Sequence, residues 1–383
     1  MVNHPENSVH PAEKDKRRDI RGLLDTEAQE VCLRYGEPKF RATQLLDWLY
    51  KKRVSSWEQM TNLSKSMREQ LAGEFELGDL KVDKIQGAAD TTRKFLLRLR
   101  DGEFIETVLV PASLGLYGDL SDRHTLCVST QVGCAYGCAF CASCRNGFRR
   151  NLSAGEIVGQ LLTVEKETGD KVNNIVFMGM GEPLANYDEV WRAIRIFNGE
   201  WGLTIGARRM TLSTCGLAPE IKRMAREPLQ VRLAISLHGA TDEIRNRLMP
   251  VNRRYPLSAL IPACEEYLQV RKRLITFEYV LVAGINDSRQ DAVKLSALAR
   301  CLRAKINLIP FNKVRGAGFD RPSDEACQKF CDDLAAAGVG ATLRLEKGGD
   351  IDAACGQLRL QRMTFPNQGT RANAAPRPPF VAK

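Results

Sequence analysis

Histidine is scarce in this chain, with four in 383 residues, and long apolar runs are missing. Each shortage removes a class of protein. No stretch approaches the roughly 20 apolar residues needed to cross a bilayer, so a helical membrane protein is excluded. The opening segment, MVNHPENSVHPAEKDKRRD, has no apolar centre, so no secretory leader is expected and the cytoplasm is the expected location. Acidic residues are in deficit, 46 against 56 Lys and Arg, which leaves a net charge of +10 and a pI near 9.0. Such a surface suits a polyanion, because lysine and arginine release counterions from phosphates. It is equally compatible with an ordinary soluble basic protein.

Cysteine is what the chain has in quantity: twelve residues. Disulfides, zinc and iron–sulfur chemistry all use cysteine. A disulfide scaffold conflicts with the length of the chain and the missing leader. Zinc sites often recruit histidine, and only His124 and His238 fall inside the region expected to fold. Thiolate ligation of an iron–sulfur cluster is therefore the favoured reading.

Length alone suggests two or three domains. Residues 1–19 and 364–383 are polar or Pro/Ala-rich and read as disordered tails. From Asp25 to about Glu76, Leu45, Leu46, Trp48 and Leu49 form an apolar stripe, followed by Met60, Leu63, Met67 and Leu71. That spacing predicts a small helical unit. Phe95, Leu97 and Leu99 alternate up to Asp101-Gly102, and the chain resumes as FIETVLV, the pattern of a β-hairpin. Beyond His124 the strand-like runs TLCVST, NIVFMG, RRMTLST, VRLAISL, ITFEYVLV, KINLIP and ATLRL alternate with amphipathic stretches. One of these, 153–168, opens on Ser153 and Glu156 as a capping box. Repeated β-then-α units predict an α/β fold with a parallel sheet, open or curled into a full or partial barrel. Reactive residues are then expected at the carboxyl ends of the strands.

The segment GCAYGCAFC sets Cys134, Cys138 and Cys141 in a C-x3-C-x2-C array after the first of these strands. Three thiolates can hold three irons of a 4Fe–4S cube and leave the fourth open for chemistry. S-adenosylmethionine (SAM) can chelate that iron, and one electron then splits its sulfonium into a 5′-deoxyadenosyl radical. Phe140 occupies the hydrophobic position usual in such loops. Other readings stay open: Cys144 could close a four-cysteine cluster for electron transfer, the array could be a zinc knuckle, or it could be a chance cluster of inert thiols.

In NIVFMGMGEPLAN, Gly179 and Gly181 permit close backbone approach, and Glu182 before Pro183 could accept hydrogen bonds from the SAM ammonium. Ser213, Ser236, His238 and Asn312 stand at later strand ends, each of them also explicable as a structural hydrogen-bonding residue. Cys355, between Ala354 and Gly356, sits in an expected loop that would expose its thiol, and Cys127 lies near the same rim. Both could equally be small buried hydrophobes. Cys32, Cys215, Cys264, Cys301, Cys327 and Cys331 fall mostly in helical patterns and are assigned to packing.

With GEPKFRATQLLDWLYKK, MTNLSK, TRKFLLRL, ETVLVP, TLCVSTQVGC, GFRRNLSAGEIVGQ, GMGEPL, TLSTCG, AISLHGATDEIRNRLMPVN, KINLIPFN and DIDAACGQL in order over about residues 35–358, the chain resembles the RlmN family. These are dual-specificity 23S ribosomal RNA and tRNA adenine-C2 methyltransferases. The resemblance implies a radical SAM partial (β/α)6 barrel at 124–363, preceded by a helical RNA-binding accessory domain at 20–85 and a β-hairpin connector at 86–111. It implies one 4Fe–4S cluster on Cys134, Cys138 and Cys141, and two SAM molecules per turnover. Gly181, Glu182, Ser213, Ser236, Leu237, His238 and Asn312 would line the SAM site. Cys355 would be the methylated cysteine, Cys127 its resolving partner through a transient disulfide, and Glu106 the proton acceptor. The implied partners are 23S rRNA, tRNA and an electron donor such as flavodoxin, with the protein itself a monomer.

The sequence departs from the pattern in four places: an insertion at 112–123, Cys144, Cys215 where serine is common, and Lys347 where arginine is usual. Two alternatives stay open at this point. One is a Cfr-type C8-adenine methyltransferase. The other is a non-catalytic iron–sulfur or zinc RNA-binding protein with Cys144 as the fourth ligand.

Overall fold

Strands such as RLAIS and TFEYVL are apolar on both faces and are stable only when covered on both, which parallel β/α packing achieves. The computed structural model describes residues 17–88, 91–111, 123–145, 147–314, 317–344, 348, 351–354 and 356–358. It begins with the two-residue strand β1 (Arg18–Asp19) and the helices α1 (Asp25–Arg34), α2 (Phe40–Leu46) and α3 (Lys65–Glu74). The strands β2 (Phe75–Glu76), β3 (Lys81–Gly87), β4 (Arg93–Arg98) and β5 (Phe104–Pro111) follow. The predicted apolar stripe is the inside of this helical unit: Leu45, Leu49, Met60, Met67 and Leu71 are all buried.

The remaining strands are β6 (His124–Cys127), β7 (Gln131–Gly133), β8 (Phe148–Asn151), β9 (Asn174–Phe177), β10 (Met210–Thr214), β11 (Arg232–Ser236), β12 (Thr276–Leu281), β13 (Lys305–Pro310) and β14 (Ala341–Leu343). Helices α4 (Ala154–Thr168), α5 (Tyr187–Asn198), α6 (Ala218–Met224), α7 (Asp242–Leu248), α8 (Leu257–Arg271), α9 (Arg289–Cys301) and α10 (Asp324–Ala336) lie between them. Strands β6, β9, β10, β11, β12 and β13 run parallel side by side. The short β14 adds a seventh parallel strand at one edge, and β5, β4 and β3 extend the other edge antiparallel. Among the described residues β14 and β3 do not pair, so the arc is a partial barrel.

Local signals explain several element boundaries. Ser153 Oγ accepts from the Glu156 amide at 3.2 Å while the Ser153 amide donates to Glu156 at 2.9 Å, the expected capping box, and Gly169 ends α4 at φ +74. Asp101-Gly102 turns the β4–β5 hairpin, with Gly102 at φ +87. Strand β3 has no comparable sequence signal. KVDKIQG is an edge strand with largely exposed side chains, so no apolar alternation marks it.

One continuous apolar core joins the helical unit to the barrel. Polar bonds add to that junction. Arg192 of α5 reaches the Gly22 carbonyl at 3.1 Å and the carboxylate of Glu27, while inside the N-terminal unit Arg21 donates to the Gly78 carbonyl at 2.8 Å and pairs with Asp79 at 2.7 Å. No described helix is long and apolar enough to cross a membrane.

Candidate metal and cofactor site

The cysteine loop is the tip of a small hairpin. Strands β7 and β8 pair antiparallel and clamp residues 134–147 between them. Gly133, at φ +75, lies so close to the Gly147 carbonyl that no side chain fits, and the Cys134 amide donates to that carbonyl at 3.3 Å. The loop therefore follows the first barrel strand at one remove, after the irregular residues 128–130 and the hairpin strand β7.

This tip faces a cavity at the carboxyl ends of the parallel strands. Cys134, Cys138 and Cys141 form one wall, and residues at and after the ends of β9, β10, β11 and β13, with Glu278 and Val280 of β12 and Gly356, line much of the rest. Burial raises all three thiols, Cys134 to about 12 and Cys138 well above the ordinary range, so they are poor free nucleophiles and would shed their protons to a metal. Cys144 is arranged differently. Its sulfur donates to the carbonyls of Cys138 (3.3 Å) and Cys141 (3.1 Å), turned into the loop's own backbone, and it is not part of the cavity wall. Among the described residues no three Cys, His or carboxylate side chains converge on a point one metal ion would occupy. Three thiols facing the cavity, with the fourth engaged elsewhere, fit a cluster with one open iron.

The polar residues read at the strand ends surround the same cavity: Gly181, Glu182, Ser213, Ser236, His238 and Asn312. Glu182 is held rigidly, accepting from the amides of Cys215 (2.8 Å) and Leu184 (3.0 Å), while burial raises its carboxyl. Ser213 and Ser236 stand on neighbouring strands with hydroxyls 3.2 Å apart. His238 is buried, and its imidazole is held down to about pKa 3 by desolvation and by Arg245. Nδ1 accepts from the Val280 amide at 3.0 Å, which leaves the proton of the neutral ring on Nε2. Gly181 has a second reason to be glycine: at φ +100, a side chain there would strike Gln131. Leu237 is fully buried and lies outside the lining, and its amide donates to the Glu278 carbonyl at 3.0 Å.

Cys355 lies outside the described residues, but both of its flanks are described. The Ala142 amide of the cysteine loop donates to the Gly356 carbonyl at 2.7 Å, Ser143 donates to the Leu358 carbonyl at 2.8 Å, and Gly356 lines the cavity. Ala353 before Cys355 and Leu358 after it also pack with Leu96, Val108 and Met180 in a second apolar cluster that Cys127 borders. Glu106 is buried on β5, 3.4 Å from the Lys94 ammonium. Neither Cys127 nor Glu106 lines the main cavity; both belong to this adjoining face.

Residues 128–296 match the family model of the Radical SAM superfamily, and residues 19–77 match that of the ribosomal RNA large subunit methyltransferase N-terminal domain. A protein of Akkermansia muciniphila described as a probable dual-specificity RNA methyltransferase RlmN is 49% identical over 344 residues, covering 89% of this chain and 96% of its own. An Opitutus terrae protein, described as probable dual-specificity RNA methyltransferase RlmN 3, is 52% identical over 336 residues, 85% of this chain and 90% of that one. The crystal structure of a radical SAM methyltransferase from Sphaerobacter thermophilus superposes with a TM-score of 0.83 at 45% identity, covering 89% and 99% of the two chains. The chain belongs to the RlmN family. It is a radical SAM methyltransferase, and that superfamily works with a 4Fe–4S cluster and SAM.

Several residues of this RlmN-family site escaped sequence reasoning. Cys215, read there as packing, is on the cavity wall beside Glu182. Cys32, Cys264 and Cys327 are buried in helices as expected, while Cys301 is exposed at the end of α9. Arg245 is fully buried without a carboxylate bond: its guanidinium donates to the carbonyls of Cys215 (3.2 Å), Ser236 (3.3 Å) and Leu237, and Nε to Asn252 at 2.8 Å. It ties the ends of β10 and β11 together beneath the cavity. Glu278 of β12 also lines the cavity, with one carboxyl oxygen bonded to Asn307 at 2.9 Å and the other unbonded. An ionisable residue inside an otherwise apolar run, as in TFEYVL, was the available signal for Glu278, whereas Lys94 stands beside Arg93 in RKFLLR and carried none.

Proposed function

We propose that this chain methylates C2 of adenosine in 23S ribosomal RNA and in tRNA, carrying the new carbon on Cys355. The observation that carries this reading is the placement of the segment flanking Cys355. Its C-terminal flank is bonded to the cysteine loop at Ala142 and Ser143, and residues of both flanks, Ala353 and Leu358, pack in the cluster that Cys127 borders. The RNA class rests on the relatives described as dual-specificity RNA methyltransferases and on the net charge of +10.

C2 of adenine is electron-poor and offers no nucleophile to a sulfonium, so a polar methyl transfer fails there. Cys134, Cys138 and Cys141 would hold the cluster, and Glu182, Ser213, Ser236, His238 and Asn312 would hold SAM. The loaded cofactors supply a 5′-deoxyadenosyl radical by one-electron cleavage of SAM. Cys355 first takes a methyl group from one SAM by displacement, releasing S-adenosylhomocysteine. Loss of one hydrogen atom from that S-methyl group to the radical leaves a methylene that bonds to C2 and tethers RNA to protein. The adduct radical would give up one electron to the one-electron acceptor that the bound cofactors provide, and Glu106 takes the C2 proton. Cys127 then attacks the Cys355 sulfur: the S–S bond forms, the S–CH2 bond breaks, and the methylene gains a proton to become the methyl group. A thiol reductant resets the disulfide, and a flavodoxin-like donor supplies the electron. The protein acts as a monomer in the cytoplasm.

The test is anaerobic reconstitution of the full chain, addition of SAM with 23S rRNA or tRNA, and mass mapping of the product. One methyl at C2 with two SAM consumed, one of them yielding 5′-deoxyadenosine, is expected. A methyl at C8, or SAM cleavage without any RNA methylation, overturns the reading.

A further inference from the structure

We infer that Lys94 is a positioning residue for this reaction: its ammonium keeps the buried Glu106 ionised and ties that carboxylate to the segment leading into Cys355. The inference rests on the proposed role of Glu106 as proton acceptor. On the β4–β5 ladder Leu96 pairs with Glu106 and Lys94 with Val108, which makes Lys94 and Glu106 diagonal neighbours on one face. Their side chains are 2% and 4% exposed, and Nζ stands 3.4 Å from Oε1. Nζ also donates to the Asp352 carbonyl at 3.1 Å, three residues before Cys355 and across 258 positions of sequence. Asp352 is left-handed at φ +53, so the chain turns at that contact.

A carboxyl group shut away from water holds its proton unless a cation accompanies it. A protonated Glu106 has no capacity to take the C2 proton. An apolar pair of similar volume would serve stability as well as this buried ion pair does, so the ion pair's place beside Cys127 points to chemistry. Among the described residues, Lys94 on β4 stands against the Glu106 carboxylate, Cys127 on β6 pairs with Val108 two residues along β5, and the C-terminal segment meets the pair through the Asp352 carbonyl on the Lys94 ammonium. In the reaction the proton passes from C2 to the Glu106 carboxylate.

The experiment follows release of methylated RNA from the covalent adduct, by denaturing gel, in single turnovers of the reconstituted full chain from pH 6 to 9. For Lys94→Met the acid limb of release moves to higher pH by about 1–3 units, so adduct accumulates at neutral pH and discharges on alkalinisation. Lys94→Arg stays near the parent profile, and Glu106→Gln accumulates adduct at every pH. A Lys94→Met profile superimposable on the parent, or one merely slower at all pH values, overturns the role of Lys94 while a stalled Glu106→Gln leaves the base assignment standing. Normal release from Glu106→Gln overturns the base assignment itself. Should Lys94→Met fail to take up the cluster, Lys94→Gln is held to the same shift.

Discussion

The cysteine hairpin Gln131–Asn151 gathers its chemistry from neighbouring residues. Cys134, Cys138 and Cys141 are oriented by turns a few residues long, and the loop is closed by a single pair of short strands. The adjoining face is assembled the opposite way. Lys94 and Glu106 meet only because β4 and β5 pair, and they meet Asp352 only because the C-terminal segment docks on the cysteine loop. A local array tolerates change elsewhere in the fold but not at its own members. A composite face depends on every strand and segment that builds it.

Four substitutions break or sharpen that contrast, from the largest expected effect to the smallest. Cys141→Ala removes a member of the local array and should abolish cluster uptake, read as iron content, and with it 5′-deoxyadenosine formation. Retention of a full cluster would mean that Cys144 substitutes and the hairpin is less specific than its geometry says. Cys127→Ala acts on the composite face. It should leave cluster and SAM cleavage intact while a covalent protein–RNA adduct accumulates and free methylated RNA falls on the order of 100-fold. Normal product yield would remove Cys127 from the resolving step.

Arg245→Met tests the brace that ties the ends of β10 and β11 together beneath the cavity. It leaves the carbonyls of Cys215, Ser236 and Leu237 without their donor, and should cost about 3 kcal/mol in denaturant unfolding with a raised KM for SAM. A loss under about 1 kcal/mol would show that these strand ends hold themselves. Cys144→Ser should change almost nothing, with iron content preserved and SAM cleavage altered by no more than about twofold, as for a site worth about 0.5 kcal/mol. A large loss of iron there would restore the four-cysteine reading.

The legible parts of the sequence were those whose signal is short in range. The capping box at Ser153 and Glu156, the turn at Asp101-Gly102, the seven strand-like runs and the C-x3-C-x2-C spacing each depend on a few adjacent residues, and each appears in the fold. The strand-end rule located Ser213, Ser236, His238 and Asn312 because parallel β/α units put all carboxyl ends on one rim. Arg245 was not legible, since DEIRNRL has the composition of a solvated helix and only packing against the ends of β10 and β11 buries its guanidinium. Cys215 packs in the core as assigned, and only the fold shows that it also borders the cavity, where its amide donates to the carboxylate of Glu182 from a different strand.

What this sequence determined by itself is the inventory: three thiols at a fixed spacing, a glycine-rich strand end with a carboxylate, and an alternating order that leaves little choice but a parallel sheet. These follow from chain geometry over a few bonds, which no distant contact needs to complete. Only the tertiary structure decided which way Cys144 turns, that Arg245 is buried, and that Lys94 stands between Glu106 and the approach to Cys355. Those outcomes depend on which surfaces meet, and burial in that meeting gives a charge or a thiol a role that its neighbours in sequence do not specify.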